Sequence, residues 1–139
     1  MKIIRQIETT SVTFVQYNNG INQIIYQECS RRAVDKLNFF VSLVLRETSI
    51  DDTVYVLCNL NKLHYHFLDY HFAQIKKLDS FYPPCKRPYI RLANLVPEIK
   101  LEHEMYLAYM RSLEISRIKL NIFAIDRCDM ASSWLLAGM

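Results

Sequence analysis

Three of the four histidines fall in one short stretch, His64, His66 and His71, with Asp69 among them. Imidazoles and a carboxylate at such spacing are the donors that Zn²⁺ or another transition metal takes. Alternate residues of an extended segment point to opposite sides, so His64 and His66 share an ion only if both turn one way. The same stretch, His64, Tyr65, His66, Phe67, Leu68 and Asp69, also reads as an aromatic and polar loop leading into a helix. We assign these six residues to partner contact. No catalytic residue, metal ligand or cofactor is assigned, and the histidines are expected at the surface or half-buried.

Other chemistry has less to stand on. Cys58 and Cys85 have no histidine near them in the sequence, and no HExxH, phosphate-loop, dinucleotide or nucleophile-elbow motif occurs. Two glycines leave no room for a Gly-rich phosphate cradle. His103, between Glu102 and Glu104, suits an exposed helix face. Tyr89 and Arg91 share one strand face while Ile90 and Leu92 share the other. A pocket wall would use that polar pair, but the surface of an edge strand is the expected setting.

With 139 residues, 51% of them apolar and 22% charged, the chain suits a single globular domain over 1–139 that folds without disulfides or metal. The net charge of +3 is mild, and the basic pairs Arg31-Arg32, Lys76-Lys77 and Lys86-Arg87 are scattered, so no nucleic-acid partner is expected. Four dispersed cysteines, no apolar leader after Met1 and no run of membrane-spanning length point to a soluble, cytoplasmic protein with free thiols. Cys58, inside an apolar run, is expected to be a small core residue.

The elements that must position these residues follow from periodicity. Ile3, Ile4 and Ile7 suggest a short first strand. Val12–Tyr17 and Ile21–Tyr26 flank Asn18-Asn19-Gly20, a strong hairpin signal. Ser30 is a natural N-cap for a helix over about 31–47, with Val34, Leu37, Phe40/Val41 and Val44/Leu45 on one face. Arg31 and Arg32 sit poorly at the positive helix start. Thr53–Cys58 reads as a central strand covered on both faces. After a loop, Leu68, Phe72, Ile75 and Leu78 form a helical stripe that Pro83-Pro84 stop. A strand over 88–93, a helix over about 101–113 and a strand over 119–125 follow. Asp129 is the expected cap of a last short helix carrying Met130, Ala131, Trp134 and Leu135.

The order β-β-β-α-β-α-β-α-β-α describes an α/β mixed sheet with an N-terminal antiparallel hairpin and alternating helices. With Val54-Tyr55-Val56-Leu57-Cys58-Asn59-Leu60 and the closing Ile122–Leu135 stretch, in which Ala131-Ser132-Ser133-Trp134-Leu135 follows an acidic turn, it resembles the STAS domain of anti-sigma-factor antagonists and the bacterial SpoIIAA-like proteins. The resemblance implies a non-enzymatic regulatory or protein-interaction module, acting on another protein or on a second copy. Its fold-level likeness to lipid-exchange domains makes a small apolar ligand or lipid the alternative. The position where regulatory members carry a phosphorylatable Ser falls at about Phe67-Leu68-Asp69-Tyr70, which has no hydroxyl of Ser or Thr. The family's phosphorylation switch is therefore not expected here.

Overall fold

The computed structural model describes residues 2–64, 67–81, 89–97, 104, 107–108, 110–111, 115 and 118–137. Three strands open the chain: β1 (Ile3–Glu8), β2 (Val12–Tyr17) and β3 (Ile21–Tyr26). They pair antiparallel in sequence order, with Phe14 facing Ile7 on one side and Ile24 on the other. Gly20, at φ +94°, turns the chain between β2 and β3 in the left-handed region that a side chain disfavours.

Helix α1 (Arg31–Arg46) starts where expected, the Ser30 hydroxyl accepting a hydrogen bond from the Ala33 N–H at 3.2 Å. The unfavourable Arg32 is offset by Glu28, which takes its guanidinium in a bidentate pair at 2.8 and 2.9 Å. Val34, Leu37, Phe40, Val41, Val44 and Leu45 are buried on the sheet side. Phe40 stacks on Phe14 with ring centroids 4.8 Å apart, anchoring α1 on β2.

The remaining elements are β4 (Thr53–Asn59), α2 (Leu68–Phe81), β5 (Tyr89–Val96), β6 (Ile118–Ala124) and α3 (Cys128–Leu136). The six strands lie side by side in sequence order, and β3, β4, β5 and β6 pair in parallel. Each crossover steps to the next strand in the same direction. Right-handed crossovers then bring successive helices to one face, and the buried residues of α1 and α2 do share one core with Phe14, Ile24, Val56 and Leu92. The opposite face carries a smaller core, where Ala131 and Leu135 of α3 cover Ile21, Leu57, Ala93 and Leu95.

Three expectations need correction. Three helices have bounds among the described residues, not four. The helix expected at about 101–113 lies mostly outside those residues, as does His103. Glu104, Leu107, Ala108, Met110 and Arg111 are helical, and Leu107 and Met110 pack on the larger core. Asp129 does not cap α3. Arg127 holds the cap position without a side-chain hydrogen bond, and Asp129 stands in the first turn. Finally, β5 is no edge strand, because it is paired along its length to β4 and to β6. The alternation that a half-polar strand shows is the same at an edge and beneath a helix that covers one face only in part.

Candidate functional site

The carboxyl ends of parallel strands gather the loops of an open α/β sheet, and ligands bind there as a rule. At this rim the chain leaves β4 through residues 60–64. The loop is fastened from below. Leu60 and Leu63 are buried, and the Leu60 N–H donates to the Leu95 carbonyl of β5 at 2.9 Å. The Asn61 N–H donates to Asn59 Oδ1, the His64 N–H to the sulfur of Cys29, and Lys62 Nζ to Gln27 Oε1. These bonds hold residues 60–64. Asn61, Lys62 and His64 are exposed, as is Asp69 in the first turn of α2. There a carboxylate is favoured by the helix dipole.

The sequence-assigned contact residues divide. His64 and Asp69 face solvent, and Phe67 is half-buried against the core. Leu68 begins α2, and Tyr65 and His66 lie outside the described residues. Beside the loop, the Tyr70 hydroxyl donates to Asp35 and the Arg31 guanidinium lies 4.7 Å over the Tyr70 ring. The start of α2 is thereby fixed to the start of α1.

His71 is not a surface residue. It is wholly buried in the larger core, with its ring spent on two partners. Nε2–H donates to Asn94 Oδ1 at 3.1 Å, which leaves Nδ1 to accept the Tyr26 hydroxyl at 3.1 Å. An amide oxygen can only accept, and this fixes the tautomer. Burial lowers the His71 pKa to about 4, against a smaller upward pull from Asn94, so the ring is neutral at pH 7. The three-imidazole grouping is therefore divided: His71 points into the protein while His64 points out. The sequence signal was available, since His71 stands one and two turns ahead of Ile75 and Leu78 on the buried stripe of α2.

Cys58 is likewise wholly buried, on the strand next to Asn94, and burial pushes its thiol pKa far up. Tyr26, His71 and Asn94 thus form a buried polar group closed to solvent, beneath a rim that offers exposed hydrogen-bonding and charged side chains. Among the described residues, no three His, Cys, Asp or Glu side chains are grouped to hold a metal ion, and no helix is long and apolar enough to cross a membrane.

No protein-family model matches the chain, and neither does any curated protein or solved structure.

Proposed function

We propose that this chain is a cytoplasmic regulatory or protein-interaction module of STAS-like architecture, with the β4–α2 loop and the first turn of α2 as its contact surface. The observation that carries the reading is a local contrast: Leu60 and Leu63 are buried, with the Leu60 N–H bonded to Leu95 of β5 and the Leu63 N–H to the Leu60 carbonyl, while His64 and, in the first turn of α2, Asp69 stand in solvent. A surface ordered in advance loses little entropy when a partner docks. The partner is another protein or a second copy of the chain. By the STAS resemblance, Asp69 falls at about the position of the phosphorylatable Ser, and a carboxylate in the first turn of α2 suits a module without that switch.

Affinity capture from the source cells tests the reading. The wild type should recover a specific partner, or itself, and a His64→Ala/Asp69→Lys double variant should lose at least tenfold of that recovery. If neither protein recovers a partner, or both recover the same one equally, the surface is not the contact site.

One observation favours the second reading, a small apolar ligand. A groove of about 430 Å³ runs between α1 and α2, lined by Phe39 and Leu78 together with Asp35, Arg46, Lys77 and three uncharged polar side chains. Such a lining suits a small amphipathic molecule with its apolar part on Phe39 and Leu78. Native mass spectrometry of the purified protein should then show a bound mass that Phe39→Asp removes.

A further inference from the structure

A second surface lies on the other face of the sheet, toward the amino ends of the parallel strands. Tyr55, Arg91 and Lys119 occupy matched positions on β4, β5 and β6. Neighbouring strands lie about 4.8 Å apart, so the three side chains stand in one row. Their parity puts them on the face that α3 covers, yet α3 seals only the part above them, through Ala131 and Leu135 on Leu57, Ala93 and Leu95. The row is left open: Lys119 is exposed, Tyr55 and Arg91 are half-exposed, and Tyr89, next along β5 on the same face, is 57% exposed. Trp134 lies over the middle of the row, its ring centroid 4.2 Å from the Arg91 guanidinium carbon, and Arg91 also donates to the Trp134 carbonyl at 2.7 Å. At the Tyr55 end Gly20 has no side chain to crowd the Tyr55 ring, which lies 3.7 Å from where a Cβ would be.

The cations of the row are Arg91 and Lys119, and one carboxylate, Asp52, lines a groove at the Gly20 and Tyr55 end. The described ion pairs are Arg5–Glu47 and Arg32–Glu28, and neither Arg91 nor Lys119 has a carboxylate partner among the described residues.

We infer that the row Tyr55–Arg91–Lys119, with Tyr89 and Trp134, is a binding surface for single-stranded nucleic acid. Cations alone would suit any polyanion. Aromatic planes interleaved with them on an open sheet suit unpaired bases, which stack on such rings while the phosphates meet the cations. A duplex hides its base faces and is not what this surface fits. The scattered basic pairs of the sequence led to the opposite expectation because Arg91 and Lys119 are far apart in the chain and meet only through the pairing of β5 with β6.

The test uses the intact chain and a fluorescein-labelled, mixed-sequence oligonucleotide of about 12 nucleotides, as single-stranded DNA and as RNA. Trp134 is the single tryptophan, so a base stacking at the row quenches the protein's tryptophan fluorescence as the anisotropy rises. Two phosphate contacts predict about a sevenfold weakening between about 50 and 200 mM salt. Tyr89→Ala and Lys119→Glu, at exposed positions, should each weaken binding about tenfold with an unchanged circular-dichroism spectrum, and the rim variant His64→Ala/Asp69→Lys should bind as wild type. The inference is overturned by no anisotropy change at high protein concentration in low salt, by row variants that bind as tightly as the wild type, or by a glutamate-rich peptide competing better than the oligonucleotide.

Discussion

The Tyr26 hydroxyl donates to His71 Nδ1 at 3.1 Å, joining the end of β3 to the first turns of α2 inside the larger core. Because His71 Nε2 in turn donates to Asn94 on β5, one imidazole ties a helix to two strands that do not touch each other. Buried polar groups of this kind are stable only when paired, since an orphaned partner keeps its full desolvation cost. Here the pairing has one gap, as Asn94 Nδ2 is buried without a partner.

Stability should fall in acid because of His71. Its folded pKa of about 4 lies below the ordinary 6.5, so the unfolded chain binds the proton more readily. The contribution is intact above pH 6.5, is lost as the pH drops toward 4, and changes no further below that. The full span is worth about 3 kcal/mol at most. Urea unfolding at several pH values reads it directly. A His71→Phe variant should lose this part of the slope, and an unchanged slope would assign it to other groups.

Removing one member of the chain should cost more than its own contacts. Tyr26→Phe takes away one hydroxyl and leaves Nδ1 unpaired, at about 1–3 kcal/mol. His71→Ala strands both Tyr26 and Asn94 and opens a cavity, so it should exceed that. A double-mutant cycle on Tyr26 and Asn94 should show coupling, for they share the ring of His71. Additive losses would mean the two bonds are independent.

Arg91 should decide whether α3 stays docked. Its NH2 donates to the Trp134 carbonyl at 2.7 Å, and its guanidinium lies over the indole. The helix has nine residues, no side-chain cap and only Ala131 and Leu135 buried, so it depends on tertiary contacts. Arg91→Ala should shift the Trp134 emission to the red and speed amide exchange across 128–136, leaving α1 protected. Uniform protection in both proteins would show that the small core suffices.

The thiols should differ sharply in reactivity. Cys128 is exposed, while Cys58 is buried and its thiolate is disfavoured by desolvation. Alkylation of native protein followed by peptide mapping should label Cys128 early and Cys58 only on unfolding. Early labelling of Cys58 would reveal opening of the core at β4.

Local chemistry is what the sequence carried well. Asn18-Asn19-Gly20 set the hairpin because a left-handed turn needs glycine, and Ser30 set the start of α1 because a hydroxyl can take an orphan N–H. The apolar run Val54–Cys58 announced a covered strand, and it is one, with Val56 and Cys58 wholly buried. The break in periodicity after β4 marks a connection, and its described residues 60–64 are irregular. Tertiary structure alone decided which strands are neighbours, and with that nearly everything about chemistry. Arg91 was read on an edge because its strand alternates, but β6 comes from far along the chain to pair beyond it. Sequence places His71 at the surface or half-buried because its buried partners, Tyr26 and Asn94, are distant in the chain and come into reach only through strand order. Periodicity reports which way a side chain points on its own element. It does not report what another element brings to meet it, and a buried polar group is defined by that meeting.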